Sequence, residues 1–331
     1  MNSTTVFRDY GQEALDAQYN NRARVPEHQD IHAGYQARAA AVVEEFETRL
    51  DVSYGPSAEE TLDVYLPENA PENAQGAPIN VFLHGGYWFS RHKNDFRFLA
   101  QGLARAGAVL VIVNYALVPS VDLDELVRQC RAAVAWTHGN ADTFGGDKER
   151  IFVSGHSAGG HLTAMMMATE WPAFAGGLPA DLIKGGCAIS GIYDLEPIRL
   201  TPLNDPVGMD QTEARALSLA YQTYDPHVII DLHTTNGTEH AYHLTYSPPL
   251  HPNTHPELVA LLREEWLPTV TQTIKTTDGW DFYYYGNLPF REGGERAWRT
   301  FDHRARFNNN YAGLRNRIGI LSEAYAYVSF E

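Results

Sequence analysis

Short apolar runs alternate with longer segments of mixed polarity over residues 79–190 of this 331-residue chain. The apolar runs are rich in Val and Ile, which is typical of buried strands, and helical periodicity fills the segments between them. We predict strands at 79–83, 109–115, 151–154 and 186–190, and helices at about 94–106, 122–138 and from 157 onward. This rhythm predicts an α/β fold with a mostly parallel sheet and helices on both faces.

The flanking parts of the chain follow other patterns. Residues 22–47 are polar and Ala/Glu-rich and predict a helix, and the alternating runs 49–54 and 61–66 predict antiparallel strands. Past residue 220 long polar and aromatic stretches separate the predicted elements. These are strands at 228–230, 280–285 and 318–321 and one helix at about 256–276. We therefore predict two regions, residues 1–220 and residues 221–331.

Charge and composition exclude several classes of partner. The formal net charge is −16, which argues against nucleic acid and anionic membranes. No apolar run approaches the length of a membrane span, and the N-terminus lacks the apolar stretch of a secretory signal. The two cysteines, Cys130 and Cys187, do not make a disulfide framework. We expect a cytoplasmic protein that acts on a small molecule; the sequence does not predict its oligomeric state.

The strongest chemical signal is the segment Gly155-His156-Ser157-Ala158-Gly159. It follows a predicted buried strand and opens a predicted helix, which is the strand–turn–helix context of a nucleophilic serine. The glycines on either side of Ser157 allow such a turn to pack without side-chain collisions. The alternative is a Gly/Ser-rich turn without chemistry.

A second glycine-rich segment, His84-Gly85-Gly86, ends an earlier predicted strand. Backbone N–H groups of Gly85 and Gly86, together with that of Ala158, are placed to stabilise the oxyanion that forms when Ser157 attacks a carbonyl. Glycines suit this role because the backbone itself must approach the substrate. We interpret His84 as a residue that braces the loop.

Residues 14–218 resemble the α/β-hydrolase family of kynurenine formamidase and related bacterial esterases. The matching stretches are Leu15–Asn20, Phe82–Trp88 with Asp95-Phe96, Val113–Leu117, Phe144–Asp147, Gly155–His161 and Ser190–Leu195. The resemblance implies hydrolysis of a small ester or N-formyl amide through an acyl-enzyme on Ser157, without a cofactor. It also implies a catalytic acid and then a histidine beyond residue 220, and neither of these two motifs is recognisable in the sequence.

Residues 221–331 instead resemble the C-terminal part of a zinc carboxypeptidase catalytic domain. The matching stretches are Tyr224–His233, Asn308–Gly319 and Leu321–Tyr325. The resemblance implies that His233 is a metal ligand and that Glu323 is the general base acting on metal-bound water. That family takes two further ligands from a His-x-x-Glu segment, but none of the 14 histidines has Glu at the third following position. The nearest matches are His92–Asp95 and His240–His243.

The two resemblances together indicate a chimera, natural or artificial, and leave three hypotheses open. The first is a serine hydrolase with an incomplete triad, the second a zinc-dependent peptidase, and the third a catalytically inactive chimera. Both families place catalytic groups at the carboxyl ends of parallel strands. We therefore expect the strands at 227–232 and 318–322 to join the hydrolase sheet. That placement would bring Asp231 or His233, and Glu323, towards the Ser157 edge, where an improvised Ser157–His233–Glu323 triad is geometrically conceivable but is not expected to work.

Overall fold

The structure is a computed structural model. It describes residues 5–67, 76–218, 228–234, 244–250, 252–285 and 318–324, with the backbone alone for most of 228–234 and 318–324. The chain divides into two compact units, residues 1–224 and residues 225–331. None of the helices in the described ranges is long and apolar enough to cross a membrane.

The first unit contains a six-stranded sheet. Its strands are β1 (Thr48–Ser53), β2 (Thr61–Tyr65), β3 (Ala77–Leu83), β4 (Val109–Val113), β5 (Gly146–His156) and β6 (Ile183–Ile189). They lie in the order β1-β2-β4-β3-β5-β6. The first two strands are antiparallel to their neighbours, and β4, β3, β5 and β6 run parallel. The predicted parallel sheet is confirmed, although β5 and β6 begin earlier than the apolar runs indicated.

Helices cover this sheet and follow the predicted alternation. They are α1 (Gln12–Tyr19), α2 (Asn21–Arg24), α3 (His28–Glu45), α4 (Ala100–Leu103), α5 (Leu123–Asn140), α6 (Ala158–Met167), α7 (Trp171–Phe174), α8 (Glu196–Arg199), α9 (Asn204–Val207) and α10 (Gln211–Leu217). The predicted helix at 94–106 is shorter, because a 3₁₀ helix (Lys93–Leu99) precedes α4 and Gly107 adopts a φ of +86° soon after it.

Apolar side chains pack on both faces of the sheet, and β4 is buried along its whole length. One charged cluster is buried as well. The ammonium of Lys93 is fully buried and lies 2.6 Å from Asp63 and 2.5 Å from Asp51, while Arg97 bonds the second oxygen of Asp63. Because a buried charge is costly unless it is paired, these contacts fix the 3₁₀ helix against β1 and β2.

The second unit contains its own four-stranded sheet. Its elements are β7 (Val228–Thr234), β8 (Leu244–Ser247), α11 (Pro256–Ala260), a π-helical turn (Leu261–Trp266), α12 (Leu267–Asp278), β9 (Phe282–Tyr284) and β10 (Ile318–Ala324). The strand order is β7-β10-β8-β9, with β10 parallel to β7 and antiparallel to β8. A small core forms around Tyr246, Leu262, Leu267 and Phe282.

The expectation that the late strands join the first sheet is wrong. Strand β10 has β7 on one side and β8 on the other, so that both of its hydrogen-bonding edges are occupied. Strand β7 pairs with β10 over all seven of its residues. Mutual pairing therefore satisfies the backbone groups that would otherwise bond to the first sheet.

Candidate active site

Ser157 lies at the tip of a sharp turn between β5 and α6. Its backbone is strained, with φ +58° and ψ −120°, a conformation that side chains other than glycine adopt only under constraint. Two hydrogen bonds hold it there. The N–H of Ser157 donates to the carbonyl of Ile189 at 2.9 Å, and its own carbonyl accepts from the N–H of His161 at 3.1 Å. This is the geometry expected of a nucleophilic serine at the carboxyl edge of the sheet.

The glycines around Ser157 are required by close backbone approach. A Cβ atom on Gly155 would collide with the carbonyl of Gly159, and a Cβ atom on Gly159 would collide with the carbonyl of Leu83. A Cβ atom on Gly160 would lie 2.8 Å from the Cα atom of Gly191. These collisions explain why Gly155 and Gly159 are glycines, as the sequence indicated.

The loop that begins at His84 passes directly beside Ser157. A Cβ atom on Gly85 would lie 3.2 Å from the Cβ atom of Ser157 and 2.6 Å from the carbonyl oxygen of His156. Gly86 has a φ of +128°, which other residues rarely adopt. Ala158 is the first residue of α6, and its N–H is among the first four of that helix, which have no partner inside it. Gly85 thus lies close to the Ser157 side chain, and Ala158 follows Ser157 directly in the chain.

His84 is fully buried beneath this loop. Its ring is stacked between Tyr115, at a centroid distance of 4.2 Å, and Phe96, at 5.7 Å. The Nδ1 atom of His84 lies 2.9 Å from the carbonyl oxygen of Gly85. The hydroxyl of Tyr115 donates to the backbone carbonyl of His84 at 2.6 Å. Burial lowers the pKa of His84 to about 4. A neutral, enclosed imidazole braces the loop, which supports the interpretation made from the sequence.

His161 is the histidine one helical turn beyond Ser157. Its ring is fully buried, packs edge-on against Trp88, and has Nε2 2.9 Å from the carbonyl oxygen of Leu217. Burial lowers the pKa of His161 to about 4. Among the described residues no imidazole is hydrogen-bonded to the hydroxyl of Ser157. The described part of the site thus brings Ser157 and the glycine loop together.

A cavity of about 290 Å³ opens beside the same loop. Helices α1 and α2 form one wall, the aromatic residues of the loop a second, and the segment after α8 a third. The lining residues are Asp16, Tyr19, Asn20, Arg22, Tyr87, Phe89, Thr201, Pro202 and Leu203. Burial, followed by the nearby charge of Asp194, raises the pKa of the Tyr19 phenol. The volume is near the lower end for small-molecule pockets, which run from roughly 300 to 1,000 Å³.

Three residues predicted for catalysis or metal binding lie in the second unit. Asp231 and His233 are on β7, and Glu323 is on β10. The parallel register places Glu323 opposite His233 and Leu321 opposite Asp231. His233 and Glu323 are therefore neighbours across two adjacent strands. His240 and His243, the alternative metal pair, lie outside the described residues. Within the described ranges no group of three His, Cys, Asp or Glu side chains is arranged to hold a metal ion.

Some contacts at the site were not anticipated from the sequence. The hydroxyl of Tyr115 donates to the carbonyl of His84 at the start of the glycine loop. The hydroxyl of Tyr87, within the loop, donates to the carbonyl of Tyr19 in α1. Tyr115 and Tyr19 both lie in stretches that resemble the formamidase family, and that resemblance was the signal available for them. Composition and periodicity carry no information about a hydroxyl that bonds a distant carbonyl.

Comparisons with known proteins agree with this geometry. The family model BD-FAE matches residues 62–177, and the model of the carboxylesterase family matches residues 127–272. Kynurenine formamidase of Danio rerio is 38% identical over 168 residues, covering 51% of this chain and 54% of its own length. The enzyme of Salmo salar is 36% identical over the same length. This chain spans about half the length of these curated relatives.

A solved structure extends the similarity over more of the fold. The crystal structure of a candidate thioesterase from Silicibacter sp. tm1040 is 31% identical in sequence, with a TM-score of 0.56. The match covers 67% of this chain and 80% of that one. The sheet order, the strained serine and the adjacent glycine loop are in keeping with these matches. The chain therefore belongs to the kynurenine formamidase/esterase-like α/β-hydrolase family.

Proposed function

We propose that this chain is a serine hydrolase of small esters or N-formyl amides. The observation that carries the proposal is the strained Ser157 turn with the backbone of Gly85 packed against it. The hydroxyl oxygen of Ser157 attacks the substrate carbonyl, and the carbonyl oxygen becomes an oxyanion. Backbone N–H groups of Gly85, Gly86 and Ala158 stabilise that charge. Collapse expels the alcohol or amine, and water then hydrolyses the acyl-enzyme.

The cavity beside the loop supports a small substrate. Tyr19, Tyr87 and Phe89 supply aromatic surface, and Asp16 and Arg22 supply polar groups at its wall. Such a mixture suits a compact acyl or aryl group carrying polar substituents. The fish relatives are named kynurenine formamidases, which favours an N-formyl amide as one substrate to assay.

The proton of Ser157 requires an acceptor, and within the described ranges no imidazole bonds to the Ser157 hydroxyl. A triad histidine oriented by a carboxylate normally fills that role. Loss of the histidine leaves only roughly 10³–10⁴-fold acceleration over the uncatalysed reaction. We therefore propose low turnover for this chain, with no cofactor required.

Covalent labelling tests the proposal directly. A fluorophosphonate probe should add to wild-type protein at Ser157, located by peptide mass spectrometry, and Ser157→Ala protein should not be labelled. Ser154→Ala is the matched control, because Ser154 lies three residues earlier in β5 with its hydroxyl bonded to Asn80 at 2.6 Å. Equal labelling of wild-type and Ser157→Ala protein would refute the assignment.

A zinc-dependent peptidase is the second candidate, favoured by the position of Glu323 opposite His233. Under this alternative His233 would be one zinc ligand and Glu323 would be the general base, with the zinc ion supplying Lewis-acid chemistry. A catalytic zinc needs about three protein ligands, and the sequence supplies one recognisable position. We propose that purified protein binds zinc weakly or not at all. Stoichiometric zinc that survives dialysis and is lost in His233→Ala would favour the peptidase, and the absence of both labelling and zinc would favour an inactive chimera.

A further inference from the structure

The glycine loop contains three residues other than glycine in the left-handed backbone region. Tyr87, Trp88 and Arg91 have φ values of +50°, +62° and +81°. Each such residue costs of the order of 1–2 kcal/mol, so surrounding contacts must enforce the conformation. Trp88 is enforced by complete burial and by its carbonyl, which accepts from the N–H of Val118 at 3.1 Å. Tyr87 is partly buried against the core and stacks on Phe89, and a further constraint acts on its hydroxyl.

Helix α1 supplies that constraint. The hydroxyl of Tyr87 donates to the carbonyl of Tyr19, the last residue of α1, at 3.1 Å. The helix is itself anchored, because Leu15 is buried and the side-chain amide of Gln12 donates to the carbonyl of Leu200 at 2.7 Å. A chain of contacts therefore runs from the segment after α8, through α1, to the glycine loop.

The loop is thereby held at two points. On the core side the hydroxyl of Tyr115 donates to the carbonyl of His84. On the outer side Tyr87 is fixed to α1, and between these two points lie Gly85 and Gly86. The carbonyl of Gly86 also accepts from the N–H and the hydroxyl of Ser90, and these two bonds close the turn that contains Tyr87.

We propose that Tyr87 is a positioning residue that acts through α1 to hold the oxyanion donors Gly85 and Gly86 beside Ser157. This inference rests on the proposed function, because it assigns a catalytic purpose to the loop geometry. It makes the first helix of the chain part of the catalytic apparatus. Without the phenolic hydroxyl, the strained backbone at Tyr87 relaxes and the two N–H groups lose their alignment.

The experiment compares Tyr87→Phe with wild type in two independent measurements. The first is amide hydrogen exchange of a peptide that covers residues 82–91, and the second is the second-order rate constant of fluorophosphonate labelling. Tyr87→Phe keeps the ring that lines the cavity and removes only the hydroxyl. Tyr54→Phe is the matched control, because its buried hydroxyl also donates to a backbone carbonyl, that of Asn114, at 2.7 Å.

We expect exchange in the 82–91 peptide to rise and labelling to slow about tenfold in Tyr87→Phe, less than the roughly 10²–10³-fold loss on removing an oxyanion donor outright. Tyr54→Phe should leave both the exchange of that peptide and the labelling rate unchanged. Gln12→Leu, which releases α1 from Leu200, should act in the same direction. The double variant with Tyr87→Phe should be no slower than the more affected single variant, because both changes break the same path.

The outcomes separate this inference from the proposed function. Unchanged exchange in Tyr87→Phe overturns the inference, whether or not Ser157 is labelled. Raised exchange with an unchanged labelling rate also overturns it, because the bond would then stabilise the loop without positioning the donors. If wild-type protein is not labelled at all, the proposed function fails while the exchange measurement still decides whether Tyr87 holds the loop. Additive effects of Gln12→Leu and Tyr87→Phe would exclude action through α1.

Discussion

The two units carry their candidate catalytic residues in different ways. In the first unit Ser157 is fixed by a strained turn, two backbone hydrogen bonds and glycines that admit no Cβ atom. In the second unit His233 and Glu323 are placed opposite each other by strand register alone. A nucleophile can therefore be built from one strand–turn–helix and one neighbouring loop, whereas a base and an acid depend on pairings between distant parts of the chain.

The largest effect that would sharpen this contrast is steric. We expect Gly159→Ala to abolish labelling of Ser157 and to destabilise the first unit by about 1–3 kcal/mol or more, because the new Cβ atom collides with the carbonyl of Leu83. Gly139→Ala is the matched control. A Cβ atom there, inside α5, has nothing within 4 Å, so this variant should be more stable by roughly 0.5–1 kcal/mol. Chemical denaturation and probe labelling of both variants check the prediction, and normal labelling of Gly159→Ala would contradict it.

A second prediction concerns the pH dependence of stability. Burial lowers the pKa of both His84 and His161 to about 4, from 6.5 when unfolded. Between pH 6.5 and 4 the unfolded chain binds protons that the folded chain does not, so stability falls as the pH falls through this window. The loss is about 3 kcal/mol for each histidine at most. Urea denaturation at pH 7 and pH 4.5 measures it.

His161→Gln isolates one of these two contributions. The glutamine amide can still donate to the carbonyl of Leu217 but does not titrate. We expect the pH dependence of the unfolding free energy to decrease by about one proton in this variant. An unchanged slope would show that His161 is already protonated, or accessible to protons, in the folded protein.

The smallest expected effect tests the second unit. We expect hydrolysis of p-nitrophenyl acetate to be detectable at most, and unaffected by His233→Ala or Glu323→Ala. The reason is geometric, since triad chemistry tolerates misplacement of only about 0.5 Å. Steady-state rates of the three proteins, each compared with Ser157→Ala, provide the measurement. Robust turnover that either substitution abolishes would show that the two regions had built a working triad together.

The part of the fold that the sequence predicted is the part set by local patterns. Strand β4 is a continuous apolar run and β3 and β5 each contain a short one, while Gly155-x-Ser157-x-Gly159 contains its own steric requirements, so both features could be derived from neighbouring residues. The sheet to which β10 belongs could not. The short apolar run at the start of β10 would fit either sheet, and the choice depends on which partner strands have an unpaired edge.

The support of the glycine loop was also beyond sequence reasoning. Tyr87 and Tyr19 are 68 positions apart and meet through a backbone carbonyl, which any residue possesses. The buried Lys93 is a similar case. Lysine side chains are usually exposed, and the burial of this one depends on its two aspartate partners, Asp51 and Asp63, which are distant in sequence. Long-range polar contacts of this kind leave no periodic trace in the chain.

The open side of β6 has a consequence for handling the protein. Among the described strands β6 pairs with β5 alone, and several of its residues, including Cys187, are exposed. A strand edge of this kind can pair with the backbone of another molecule, and edge strands in native proteins often carry a lysine that disfavours such pairing. Lys184 is the charged residue on this strand, and it is held by Asp181 at 2.7 Å. High ionic strength screens the charge of Lys184. We therefore expect self-association, and oxidative cross-linking through Cys187, to be observed first in concentrated preparations at high salt.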